Sequence, residues 1–106
     1  MTTFSNAEDQ KLATLANATL KRSGAKQAAA LRDNTGRTYV AVNISTPSLT
    51  LDACDSVFTV AMASGISGIE SVVVVGEKPS KAGALRDFSA RATVFYCADT
   101  GEISTL

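Results

Sequence analysis

Residues 50–76 read TLDACDSVFTVAMASGISGIESVVVVG, and this stretch decides the fold. Thr50 stands where an N-cap belongs and Gly65 where a helix stops, so a helix is expected from Thr50 to Ser64. Leu51, Cys54, Val57, Phe58, Val60, Ala61 and Met62 make it apolar on nearly every side, which predicts burial on two faces, either by the domain or by another subunit. The next segment, Ile69 to Val75, contains Val72-Val73-Val74-Val75 and is closed by Gly76. Unalternating β-branched residues suit a central parallel strand covered on both faces.

Upstream, Tyr39-Val40-Ala41-Val42 is a good strand sequence. Two extended segments, 27–32 and 37–44, are joined by Asp33-Asn34-Thr35-Gly36, whose turn chemistry predicts a hairpin. Asn43 to Ser48 then leaves the strand as a loop. Near the start, Ser5-Asn6-Ala7-Glu8 has the spacing of a capping box. Leu12, Leu15, Ala16 and Leu20 follow at helical spacing, and Lys21, Arg22 and Gly24 supply stop signals, which gives a helix over 6–22. Downstream, the pattern predicts a short helix over 81–90, a strand at Thr93–Cys97, a turn at Asp99-Thr100-Gly101 and a last strand over 102–105. The order α-β-β-α-β-α-β-β predicts one α/β domain over residues 1–106. A mixed five-stranded sheet would carry helices on both faces, with parallel neighbours and right-handed crossovers in its β-α-β-α-β portion.

Composition narrows the chemistry. The chain has 106 residues, ten Lys+Arg against ten Asp+Glu, and no histidine. Zero formal charge argues against a nucleic-acid or anionic-membrane binder, which would show a basic excess. Without histidine there is no Ser-His-Asp or Cys-His catalysis, no His-ligated zinc and no imidazole acid or base. Two cysteines are too few for an all-thiolate zinc site. Cys54 and Cys97 form no C-x-x-C pair and read as free thiols in a reducing compartment. The opening MTTFSNAEDQ lacks the basic and apolar regions of a signal peptide, and no apolar stretch reaches membrane-spanning length. A cytoplasmic protein is therefore expected.

Several short segments, in order, resemble the cytidine deaminase family over nearly the whole chain. Ser23-Gly24-Ala25-Lys26-Gln27-Ala28-Ala29-Ala30 is similar to the family's S-G-F-x-V-G-A-A before and into the first strand. Gly36-Arg37 and Asn43-Ile44 fall where the family has its turn and its Asn-x-Glu ribose-binding pair. Leu49-Thr50-Leu51 resembles the L-T-L or L-T-I before the catalytic helix, and Gly83-Ala84-Leu85-Arg86 the end of P-C-G-A-C-R. The resemblance implies the three-layer fold of that family and subunit contacts near the second helix.

It also implies a chemistry whose residues are missing. In the family, a zinc ion held by the first residue of [HC]-A-E and by both cysteines of P-C-x-x-C turns water into hydroxide, and the Glu shuttles protons. The first motif aligns best with Asp52-Ala53-Cys54, so that Asp replaces a ligand and Cys replaces the Glu. Shifting the register by one or two residues puts Ala53 or Cys54 at the ligand and Asp55 or Ser56 at the Glu; none restores both. Ala82 and Leu85 stand at the two cysteine positions. The aromatic that stacks on the base corresponds to Ala25, and the Glu of the ribose pair to Ser45, while Asn43 remains.

Each position also has an ordinary reading. Asp52 suits the helix dipole. Cys54 is a small apolar filler more readily than a thiol activated at a helix N-terminus. Two readings of Asn43 stand side by side, a sugar-binding amide and a side chain that satisfies backbone groups. Arg86 and Asp87 read as a solvated face. Lys78-Pro79-Ser80-Lys81 reads as an exposed loop, with phosphate binding at the following helix as its alternative. The sequence thus predicts a non-catalytic relative of the cytidine deaminases, structural, regulatory or weakly nucleoside-binding, with no metal or cofactor. A zinc-dependent cytidine or deoxycytidine deaminase is the alternative, and thiol chemistry at Cys54 a third reading. The two-sided apolar helix predicts a homo-oligomer, dimer or tetramer.

Overall fold

The computed structural model describes residues 4–79 and 82–106. Its elements are α1 (Ala7–Ser23), β1 (Gln27–Asp33), β2 (Thr38–Val42), β3 (Ile44–Thr46), β4 (Leu49–Leu51), α2 (Ala53–Ala63), β5 (Ile69–Gly76), α3 (Gly83–Phe88), β6 (Thr93–Cys97) and β7 (Ile103–Thr105). Five strands form one sheet in the order β2-β1-β5-β6-β7, and β3 with β4 makes a separate antiparallel pair.

Side-chain alternation explains the three layers. On β1, Ala28 and Ala30 face α1, where they pack with Leu12, Ala13 and Ala16; on β5, Val73 and Val75 do the same. The intervening Ala29, Leu31, Val72 and Val74 pack on the other side against Val57 and Ala61 of α2 and Leu85 of α3. The valine run has no polar position because neither face of β5 meets water from Val72 to Val75. Alanines on β1 let both helices come close to the sheet, and all six side chains from Gln27 to Arg32 are buried. Arg32 crosses to α1, with Nη1 3.0 Å from Asp9 Oδ1, and Nη2 lies 2.9 Å from Glu70 Oε1.

The hairpin at residues 33–36 forms as expected, and a buried carboxylate closes it. Asp33 Oδ1 accepts from the Thr35 amide and hydroxyl and from the Arg37 amide at 2.8–3.0 Å, while Oδ2 accepts from Arg37 Nε at 2.8 Å. Burial alone would raise the Asp33 pKa, but these hydrogen bonds outweigh it and hold the carboxyl below its usual range.

The sequence reading needs correction in several places. The sheet has only one parallel pair, β5 with β6; β5 runs antiparallel to its other neighbour, β1. The tight hairpin gives one edge of β1 to β2, and the crossover through α2 brings β5 to the other edge running parallel to β2, hence antiparallel to β1. The crossover from β2 through α2 therefore spans β1. The loop expected at 43–48 contains β3 and leads directly into β4, which also absorbs Thr50. Consequently α2 starts later, with Asp52 as its N-cap accepting from the Asp55 amide at 2.8 Å. Asn6, not Ser5, caps α1, its Oδ1 accepting from the Glu8 amide at 2.8 Å. The third helix is shorter than 81–90, ending at Phe88; residues 80 and 81, and with them part of the expected exposed loop and of its phosphate-binding alternative, lie outside the described residues. Arg86 is not a solvated face: its guanidinium donates to the carbonyls of Ala92 (3.2 Å) and Leu106. Within the chain, the outer face of α2 is left uncovered, with Val60 42% and Met62 40% exposed. None of the described helices is long and apolar enough to cross a membrane.

Candidate functional site

Four chain segments meet around a cavity of about 650 Å³: residues 24–27 leading into β1, 43–45 leading into β3, 50–52 at the start of α2, and 77–79 leaving β5. Hydrogen bonds fix this meeting. The Asn43 Oδ1 accepts from the backbone amides of Lys26 (3.1 Å) and Gln27 (3.0 Å), tying the end of β2 to the start of β1. The Gln27 side chain is 5% exposed, and its Oε1 accepts from the Ala53 amide at 2.7 Å. Its Nε2 donates to the Glu77 carbonyl at 2.8 Å, so one amide joins β1, α2 and the exit of β5. Beside it, Gly76 takes φ +88°, and a Cβ there would run into the Lys26 carbonyl. Only glycine allows so close an approach of the two strands. The Gly76 carbonyl accepts from the Tyr96 hydroxyl at 2.6 Å.

The eight candidate residues divide into two groups. Ala25, Asn43, Ser45 and Asp52 line the cavity. Ala53, Cys54, Ala82 and Leu85 do not; all four lie in the apolar core with Val57 and Val94. Asn43 satisfies backbone groups through its oxygen, as one reading held, while its Nδ2 donates to none of the described residues. Asp52 spends Oδ1 on capping α2. Cys54 is 1% exposed, and its thiol is pushed up to about 12, by burial first and by the carboxylates of Asp52 and Asp55 second. It stays protonated at neutral pH, which removes the activated-thiol reading. Cys97 is half-buried and also free, its pKa likewise raised by burial.

The zinc ion that the family resemblance implies does not fit the residues present. It needs three or four N, S or O donors converging in a tetrahedral array. Of the side chains at the aligned positions, Ala82 and Leu85 have no donor atom, Cys54 is a neutral core thiol, and Asp52, with Oδ1 on the helix cap, is left as a single carboxylate that cannot hold the ion alone. Among the described residues, no three His, Cys, Asp or Glu side chains come together to hold a metal.

Gln27 is the functional-site residue that the sequence reading passed over. A signal was available: it stands at the valine of S-G-F-x-V-G-A-A, and a polar side chain at a core strand position must find buried partners.

Comparison with known proteins is consistent with this architecture. The family model "Cytidine deaminase-like" matches residues 5–101. A cytidine deaminase from Burkholderia pseudomallei superposes with a TM-score of 0.72 at 22% identity, covering 92% of this chain and 90% of that one. One from Mycobacterium leprae gives 0.68 at 18%, covering 91% of each. A third, from Mycobacterium tuberculosis, gives 0.67 at 18% over 80% of this chain and 81% of that one. No curated protein matches.

Proposed function

The chain belongs to the cytidine deaminase-like family, and on that premise we propose that it is a non-catalytic member whose cavity binds a nucleoside weakly. One observation carries the first half: Ala82 and Leu85, at the positions of the two ligand cysteines, pack as apolar core with Cys54. Without the metal, water keeps its pKa near 15.7, and no group at the site supplies hydroxide at neutral pH. Elemental analysis of the purified chain is expected to find far less than one zinc per chain, and incubation with cytidine to yield no uridine. About one zinc per chain, with ammonia release abolished by a chelator, would overturn the reading in favour of a zinc-dependent cytidine deaminase. That alternative draws its support from the similar solved structures, which are cytidine deaminases.

The second half rests on the cavity, whose volume is of ligand size. Binding is weak for two reasons. Ala25 offers no ring to stack on a base, which forfeits about 1–3 kcal/mol. Ser45 offers a hydroxyl instead of a carboxylate, which forfeits roughly 1.5–3 kcal/mol of charge-assisted hydrogen bonding. Together these amount to about two to four orders of magnitude in affinity. Calorimetry with cytidine tests it: low-micromolar binding that Asn43→Ala leaves unchanged would contradict it.

A homo-oligomer is part of the same proposal, supported by the exposed Val60 and Met62 on α2. Light scattering showing a monomer at high micromolar concentration would end it.

A further inference from the structure

The two edges of the five-stranded sheet are unlike. β7 has three residues, too short to template a long pairing. β2 runs Thr38-Tyr39-Val40-Ala41-Val42, with no charge, no proline and no break in its register with β1. Charges, proline and bulges are the devices that normally keep such an edge from pairing, and β2 has none of them. Tyr39 to Val42 are only half-buried, although their partners on β1 are fully buried, as an edge with nothing beyond it requires.

The hydrogen-bond phase of the hairpin decides which groups that edge presents. The Asp33 amide donates to the Arg37 carbonyl, and the Asn43 amide to the Gln27 carbonyl. Antiparallel pairs alternate, so Arg37, Tyr39, Ala41 and Asn43 turn their backbone groups toward β1. Thr38, Val40 and Val42 therefore turn theirs outward. Among the described residues, no group donates to or accepts from this outer edge.

A second copy of the chain fits it. When two β2 strands lie antiparallel about a twofold axis at Val40, Thr38 stands opposite Val42 and Val40 opposite itself. Every outward N–H then meets an outward carbonyl. The side chains agree with that register. On the α1 side the pairs are Val40 with Val40 and Thr38 with Val42, all β-branched; on the α2 side the Tyr39 ring lies beside the small Ala41. Arg37 comes opposite Asn43, so no like charges meet. The surface continues onto α2, which packs over β2 and β1. Phe58 turns to Phe88 of α3, and the exposed Val60 lies about 200° further round the helix, on the flank away from α3 and toward β2.

We infer that β2 pairs with β2 of a second copy, joining the two sheets into one, with Val60 beside the seam. This rests on the homo-oligomer reading above and names its surface. The test is backbone amide exchange of the full chain at low and high micromolar concentration, with light scattering of the same samples. As the dimer forms, the amides of Thr38, Val40 and Val42 are expected to slow by about tenfold or more, while those of Tyr39 and Ala41, bonded to β1, are slow at both concentrations. A dimer whose Thr38, Val40 and Val42 amides exchange at one rate throughout would overturn the inference and leave the homo-oligomer standing. Slowing at β7 instead would do the same. A monomer at every concentration would remove the homo-oligomer reading, and the inference with it.

Variants read the same seam. Val40→Pro removes the central outward N–H and none of those bonded to β1, a place where an edge strand tolerates proline. The dimer dissociation constant is expected to rise by about tenfold or more, and by about threefold for Thr38→Lys, at an exposed position. Folded variants that dimerise as tightly as the natural chain would overturn the inference. The exchange measurement uses the natural chain, so it decides the matter however either variant folds.

Discussion

At the N-terminus of α2, side chains two residues apart serve opposite surroundings. Asp52 faces the cavity, where Gln27, Asn43 and the helix cap hold the wall together by hydrogen bonds. Cys54 faces the core, where Ala82, Leu85 and Val57 pack between α2, α3 and the sheet. The wall that packs uses no polar atom and so offers none to a metal or a substrate. The wall that hydrogen-bonds spends only part of its polar capacity on the fold. The difference teaches where ligand chemistry can persist in this chain: where structural hydrogen bonds leave donors and acceptors over, and not where burial consumes the whole side chain.

The strongest way to break this comparison is at Leu85, which is 1% exposed. Leu85→Ala is expected to cost about 2–5 kcal/mol of stability by urea unfolding. The volume-conserving Leu85→Met should cost less than about 1.5 kcal/mol. A loss below about 1 kcal/mol for the alanine variant would mean that the packed wall does not hold α3.

Gln27→Ala comes next, because it orphans the Ala53 amide and the Glu77 carbonyl together. The expected cost is about 1–3 kcal/mol, with faster hydrogen exchange at the Ala53 amide. If Gln27→Val proved as stable as the natural chain, the cavity wall would not depend on its hydrogen bonds, and the contrast between the walls would fail.

Acid sharpens the comparison from the far end of β1, away from the cavity. The folded-state pKa of Asp33 is lowered, so its stabilising effect is full above the unfolded carboxylate range and disappears as pH falls through the folded value. Stability measured from about pH 6 down to pH 2 should decline, and the decline should be shallower in Asp33→Asn below about pH 4. Equal slopes would show that the hairpin carboxylate plays no part.

The smallest effect on folding belongs to α2's outer face. Val60→Lys should change stability by no more than about 0.5 kcal/mol while weakening self-association in light scattering. Val60 is a cleaner probe of assembly than Phe58, whose ring packs edge-on against Phe88 at 5.9 Å and reports on the core as well.

The periodic parts of this fold were legible in the sequence, and the pairings were not. The valine run announced a strand buried on both sides, because only that environment tolerates Val72 through Val75 without a polar break. Asp33-Asn34-Thr35-Gly36 announced its hairpin through residues that bond to their own backbone. Which edge of β1 receives β5 is a long-range choice, made by backbone groups that every residue shares, so no side chain records it. The three-residue strands β3 and β4 hid for a related reason: both are too short for a period, so β3 reads as loop and Thr50 and Leu51 of β4 read as the start of a helix. The lack of a donor at Ala82 and Leu85 could be read directly, since an alkyl side chain has none wherever it is placed. The role of Gln27 could not, because it exists only once residues 27, 53 and 77 are neighbours.

The hydrogen bond from Tyr96 to Gly76 gives the chain an optical reporter of its own. With no tryptophan, its ultraviolet emission comes from two tyrosines, Tyr39 and Tyr96. The carbonyl that receives the Tyr96 proton belongs to the residue immediately before Glu77, on the cavity's rim. A ligand that draws Glu77 inward is expected to disturb the phenol's hydrogen bond. Tyrosine fluorescence followed during a titration would then report the seating of the proposed ligand, with no label attached.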